Sequence, residues 1–381
     1  MKRVLVLLIF VVLLAGVANA ETKLSMELWS RWTYLMVDGE DDALQNSLSL
    51  NRGLLGIEHK FTDRITGKFA VDFFSREDSE IELSEDEVAD VCNNGAGLKI
   101  KLAYVDFTDF LWKDATFTFG LMKTYFGTVY DWGYTTIDLN PTDKYGFVSS
   151  LDYGMGISGK IPMGMGEYHV AAYNGEGYTK AGSDIDTKMA LSADLRLIPV
   201  KGITLGGSYY MKPAEGTYLD TLGEYVDYDV DDNRMTGFVR FNMLQGFDLW
   251  AQYLTKTSTS QSWVDTLGVV ETDLTVNVIS IMPIFNIKAY TEVDAELVFR
   301  YDMYDDNADI DDDLECSKAY DLMIVGVNYY LLRDANDKAK MWVQANYNMK
   351  DYKSEGTTDE PLNDESELKV QLRWKFADLI K

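Results

Sequence analysis

The sequence predicts an all-β fold, a transmembrane antiparallel β-barrel of sixteen strands with long outer loops and short periplasmic turns. Three observations carry this expectation. Apolar and polar residues alternate with period two, connections alternate between long and short, and no apolar run after the first twenty residues could cross a bilayer as a helix. The longest such run, 278–285, contains Ser280 and falls far short of the roughly 20 residues a membrane helix needs. Composition agrees, because 24 Tyr, 17 Phe, 8 Trp and 29 Gly stand beside only 6 Pro, a balance suited to aromatic-rich strands. The formal charge of −27, from 35 basic and 62 acidic residues, argues against a nucleic-acid partner.

The N-terminus comes first. Lys2 and Arg3 precede an apolar run over 4–14, and Ala18-Asn19-Ala20 places small residues ahead of Glu21, the pattern of a cleaved export signal over 1–20. No cysteine follows the cleavage site until Cys92, so a lipid anchor is not expected. Residues 21–381 then form a single barrel domain, with no linker tract and no short-period repeat.

The strands follow in order. Alternation marks 22–37, 46–61, 65–76, 97–109, 115–124, 149–160, 165–174 and 187–198. It continues over 203–212, 234–243, 247–257, 273–284, 292–304, 318–331, 338–350 and 366–377. In the last of these Leu368, Val370, Leu372, Trp374 and Phe376 share one face, and Lys369, Gln371, Arg373 and Lys375 the other. Around Tyr104 and around Ile279 the alternation slips, as a β-bulge would cause.

Connections after odd-numbered strands read as long and those after even-numbered strands as short. Thr62-Asp63-Arg64 and Leu244-Gln245-Gly246 are short; 77–96, 125–148, 213–233 and 351–365 are long. Sorting of this kind belongs to outer-membrane barrels, and most prolines lie in the connections, where no ladder donor is needed. A sheet edge in hydrocarbon would leave backbone groups unsatisfied, so the sheet must close, and sixteen strands leave an aqueous lumen.

Charge is segregated. The long loops hold most of the acidic residues, with Lys144, Lys180 and Lys353 as their basic members, so the acidity belongs to the outer rim. Charged positions on the lumen parity are rich in Lys and Arg, and the expected pore-lining residues are Arg31, Lys68, Asp72, Lys123, Lys160, Arg196, Arg240, Arg300 and Arg373. The bland reading is that such residues pair across strands and hydrate the wall. Trp32, Tyr34, Tyr153, Tyr209, Tyr253, Trp374 and Phe376 fall on the outward parity and suit interfacial girdles. Trp29, Trp250 and Trp342 point inward, where packing is a simpler role than a sugar track.

Several stretches resemble the phosphate-selective porin family of bacterial outer membranes. They are Lys101-Leu102-Ala103-Tyr104-Val105-Asp106-Phe107, Phe119-Gly120-Leu121-Met122-Lys123-Thr124, Trp132-Gly133-Tyr134 and Ser149-Ser150-Leu151-Asp152-Tyr153-Gly154-Met155-Gly156. Tyr173-Asn174-Gly175-Glu176-Gly177-Tyr178, Arg300-Tyr301-Asp302 and Gly326-Val327-Asn328-Tyr329-Tyr330 follow in order. The resemblance implies a sixteen-stranded porin, usually a homotrimer, whose third long loop, 125–148, folds inward as a constriction carrying Tyr125, Tyr130, Asp131, Trp132 and Tyr134. Two features depart from that family. No dense arginine ladder maps onto one face, and the chain ends Phe376-Ala377-Asp378-Leu379-Ile380-Lys381 instead of on an aromatic residue.

The expected function is passive diffusion of small hydrophilic solutes and ions with some anion preference, phosphate-like or otherwise. The alternative is a non-conducting surface barrel, an adhesin or structural protein acting through its acidic loops. Enzyme chemistry is not expected, since neither His59 nor His169 sits in a nucleophile or zinc motif. No cofactor and no metal site are implied. The run 305–313 reads as a solvated acidic loop facing lipopolysaccharide, because it lacks the central Gly and closing Glu of a calcium loop. Cys92 and Cys316 both fall in outer loops, and nothing in the sequence brings them together. The expected partners are outer-membrane lipid, lipopolysaccharide and small solutes.

Overall fold

Side chains two positions apart share a face of a strand, so long alternation builds a sheet with two unlike faces. The computed structural model describes residues 21–40, 42–75, 96–130, 132–179, 188–219, 225–264, 268–308, 318–354 and 362–380. Its strands are β1 (Glu21–Val37), β2 (Gln45–Thr62), β3 (Ile65–Ser75), β4 (Ala96–Thr108), β5 (Ala115–Lys123), β6 (Leu151–Ile161), β7 (Gly166–Tyr173) and β8 (Ala190–Val200). They continue as β9 (Ile203–Leu219), β10 (Tyr225–Phe241), β11 (Phe247–Val264), β12 (Gly268–Asn286), β13 (Ala295–Asp305), β14 (Tyr320–Arg333), β15 (Ala339–Tyr352) and β16 (Glu365–Ile380). Each pairs antiparallel with its chain neighbours. β1 closes the barrel on β16, with Trp29 opposite Arg373 and Glu27 opposite Lys375.

The two faces separate as the alternation predicts. On β8, Leu191, Leu195 and Leu197 are exposed on the outer wall, whereas Ser192, Asp194 and Arg196 are buried inside. On β16, Leu372 and Phe376 face out while Gln371 and Arg373 are buried. Tyr153, Tyr209 and Tyr253 join the outer face. An apolar belt of this extent exceeds what a soluble surface carries and suits hydrocarbon.

Two expectations are corrected and one holds. Segments 213–233 and 258–272, read as long loops, are largely strand: β9 and β10 pair up to Leu219 and Tyr225, and β11 and β12 up to Val264 and Gly268. Thr, Tyr and Val are frequent there and keep the ladder going, so loop length does not sort strictly by parity. The slip at Tyr104 does mark a bulge, because the β3–β4 register shifts between Ala70 and Val71, opposite Lys101. No bulge lies at Ile279. β12 keeps one register against β11, and the alternation is blurred because inward Val278, Met282 and Ile284 are apolar where a loop packs on them. A bulge not anticipated lies in β2, where the register against β1 shifts between Trp29 and Ser30, beside Arg52. The export signal, Lys180, Cys92, Cys316, Asp131 and most of the acidic run 305–313 lie outside the described residues.

Candidate functional site

Residues 125–148, here L3, fold into the barrel, and what holds them there is written in the inner wall. In its last third L3 forms one short helix, α1 (Pro141–Lys144). Asn140 caps it by accepting from Thr142 N at 2.9 Å, and Pro141 supplies a preset first-turn dihedral. Phe126, Val129, Phe147 and Val148 of L3 bury against Ala171, Tyr173, Tyr210, Leu254 and Val278, inward residues of β7, β9, β11 and β12. Gly127 sits at φ +55, and a Cβ there would come within 2.3 Å of Gln252 Nε2, so glycine lets the loop approach the wall.

Polar clamps complete the docking. L3 turns its carbonyls toward the wall, and arginines and amides donate to them. Arg196 Nη2 reaches Gly127 O at 2.8 Å, Arg300 Nη1 reaches Leu139 O at 2.6 Å, and Arg234 donates to Phe147 O. Around the tip, Asn328 donates to Thr135 O at 3.0 Å, while Gln344 and Arg373 donate to Tyr134 O at 2.9 and 3.2 Å. Asp138 of L3 receives Lys369 at 3.1 Å and Asn348 at 2.8 Å. Burial alone would raise the Asp138 carboxyl, but Lys369, Lys144 and Arg300 outweigh it and hold it below the usual carboxylate range.

The clamping arginines are neutralised before they meet the loop. Arg196 pairs with Asp194, Arg234 with Asp232 and Arg300 with Asp302, each two residues away on the same inward face. Arg196, Arg300 and Arg373, expected to line open water, are instead buried on the inner side of the wall. They are 4%, 1% and 4% exposed, covered by L3, and act on its backbone. Arg373 also lies 4.2 Å from the Trp29 ring and 4.4 Å from that of Trp342, and donates to Glu27 at 2.6 Å. Those two inward tryptophans pack against guanidinium groups and form no open slide.

Of the other expected wall residues, all but Lys123 make their contacts away from L3. Arg31 donates to Gln371 and Asn51, Lys68 lies 3.6 Å from Glu58, and Arg240 pairs with Asp248 beside Trp250. Lys160 is exposed opposite Glu167, and Asp72 is buried 3.2 Å from Arg52. Lys123 donates to Tyr130 O at 3.0 Å, at the root of L3. Tyr125 stacks on His169 with ring centroids 3.9 Å apart, and Tyr130 flanks the same imidazole, which makes His169 a wall residue. His59 meets the Thr22 hydroxyl at 2.8 Å near the opposite rim.

L3 leans on β7–β16, so the open side of the lumen is the wall of β2, β4 and β5. There a cavity of about 150 Å³ separates Trp132, Tyr134 and Asp143 of L3 from Arg52, Lys101 and Lys123. Arg52 lies 4.3 Å from the Trp29 ring and 5.0 Å from that of Tyr134. Lys101 donates to Tyr178 Oη at 2.7 Å, and among the described residues neither it nor Lys99 has a carboxylate at ion-pair distance. Voids of about 190 and 600 Å³ continue past Tyr134 toward Lys375 and Lys340. Arg52, Lys99 and Lys101 escaped the parity reading because each adjoins a bulge. Burial pushes the Asp143 carboxyl above its ordinary range, against hydrogen bonds from Ser150 and the nearby charges of Lys101 and Arg52.

No known protein family matches the sequence, and no curated protein matches it either. Solved structures do match. Pseudomonas putida OprB is similar over 96% of this chain and 95% of its own at 14% identity and a TM-score of 0.61. The outer membrane channel DcaP of Acinetobacter baumannii is similar over 94% and 98% at 12% identity and a TM-score of 0.60. This is the fold of outer-membrane channel proteins. An anion-selective porin from Comamonas acidovorans shares it, with 94% of this chain and 100% of that one covered at 13% identity and a TM-score of 0.58. At such identities the likeness is one of architecture, and chemistry rests on the residues above.

Proposed function

We propose that this chain is an outer-membrane porin, not an enzyme, through which small hydrophilic solutes and ions diffuse, with a preference for anions. The observation that carries the reading is the asymmetry of the lumen. On the side L3 leans against, cations are matched to carboxylates and loop carbonyls. On the open side Arg52, Lys99, Lys101 and Lys123 face the passage with Asp72 and Asp143 as the carboxylates nearby. A low-dielectric wall focuses the field of such a cluster into the water between. The neighbouring fold includes a porin described as anion-selective, which agrees with this direction.

In this reading residues 1–20 direct export and are removed, the barrel sits in the bacterial outer membrane against lipid and lipopolysaccharide, and three copies assemble. L3 sets the size limit through Tyr130, Trp132 and Tyr134. The test is the reversal potential of the purified protein in a planar bilayer across a potassium chloride gradient. A chloride-favouring potential is expected, and it should move toward potassium in Lys99→Gln/Lys101→Gln. A potassium-favouring potential would overturn the anion preference. Absence of current from folded protein would overturn the channel reading and favour a surface barrel.

A further inference from the structure

The cavity between L3 and the β2–β5 wall is not lined as a simple anion passage would be. Beside its cations it presents Leu54, Leu102, Val129 and Leu151, with the rings of Trp132 and Tyr134 across from them. Trp132 is fixed by packing against the apolar patch of Met282, Ile284 and Val298, and its buried indole N–H meets no acceptor among the described residues. The void of about 150 Å³ is of the order that holds one benzene-sized body in other proteins. Lys101 is 8% exposed and has the Tyr178 hydroxyl and ring as its partners, with no carboxylate at ion-pair distance among the described residues. An ammonium buried in that way gains a charge-assisted bond from any carboxylate that enters.

From these walls we infer that the cavity is a binding site for amphipathic monoanions, a carboxylate joined to a flat apolar body the size of one aromatic ring. The carboxylate meets Lys101 and Arg52, while the ring lies among Leu54, Leu102, Val129 and Trp132. Inorganic phosphate fits less well. Its oxygens each need a donor, and the aliphatic residues supply none, so several would be desolvated without compensation. The inference rests on the anion-conducting reading and narrows it to a class of solute.

The test uses the full chain in a planar bilayer carrying potassium chloride current, with benzoate, acetate, benzylammonium and phosphate as probes. Benzoate should block half the current at a concentration about tenfold below that for acetate, the worth of burying a ring on apolar side chains. Benzylammonium has the same ring with the opposite charge and should not block in that range. Trp132→Ala should raise the half-blocking benzoate concentration about tenfold, and Leu102→Asn serves if that variant does not fold. Equal block by benzoate and acetate, with a chloride-favouring reversal potential, overturns the inference and leaves the anion channel standing. Block by benzylammonium at the benzoate concentration, or by phosphate at a lower one, overturns it as well. A potassium-favouring potential removes the reading beneath it.

Discussion

Asp138 is where the docking of L3 is most open to a single change. Its carboxylate lies among Lys369, Lys144 and Asn348, and removing the charge would leave two half-buried ammonium groups facing a neutral amide. Lys369 keeps Glu367 at 2.5 Å, whereas Lys144 has no second carboxylate at ion-pair distance among the described residues. Asp138→Asn should therefore destabilise the docked loop by about 3 kcal/mol, the low end of the cost of breaking a buried pair. Protease sensitivity of L3 in detergent should rise while the barrel's resistance to heat stays. The pH dependence has a definite sign. A carboxylate held below its ordinary value contributes stability above the unfolded pKa of about 4 and loses it as pH falls through the lower folded value. L3 in the parent protein should thus stay protected from neutral pH down to about 4 and loosen only below.

At the scale of elements, L3 and the wall make a second core inside the barrel. Phe126 and Phe147 are fully buried in it and contribute nothing to the strand ladder. Phe147→Ala should cost about 3 kcal/mol of loop docking, with barrel pairing unaffected. Noisier single-channel current and faster cleavage within 125–148 are expected, with unchanged strand content by circular dichroism; a loss of strand content would mean that L3 helps hold the barrel itself. This core also explains what the sequence could and could not reveal. Alternation places Arg196, Arg300 and Arg373 inside because a strand has only two faces. Which of them L3 covers depends on contacts such as Asn348 with Asp138, made by residues far apart in the chain, and no local period encodes that. One signal was present. Opposite charges two apart, as in Asp194/Arg196, Asp232/Arg234 and Arg300/Asp302, mark cations already matched, and inward Leu254 and Val278 mark a wall awaiting a partner. Bulges hid the remainder, since Arg52 and Lys101 change faces relative to the simple count.

On the scale of the whole molecule, the proposed channel would subject a passing ion to two fields of opposite sign. Acidic residues crowd the long loops, and Arg52, Lys101 and Lys123 line the cavity between L3 and the wall. Their ranges differ in salt. At 0.01 M the screening length is about 30 Å, long enough for the rim to repel anions across the mouth; at 0.15 M it is about 8 Å, and the rim acts only on its immediate surroundings. Lys101 is buried against Tyr178 and Leu102, and mobile ions screen it much less than they screen a loop carboxylate. The chloride-to-potassium permeability ratio should therefore rise as salt increases from about 0.01 to about 0.15 M, the reverse of what a purely cationic passage would show. Acidification should act in the same direction, because Asp143, whose carboxyl burial pushes upward, takes a proton before ordinary carboxylates do and leaves the facing cations less opposed. Reversal potentials at both salt levels, at neutral pH and near pH 5, measure the two effects separately. A ratio that falls with salt would mean that the rim has no hold on the mouth. A ratio insensitive to pH would place Asp143 outside the path of the ions.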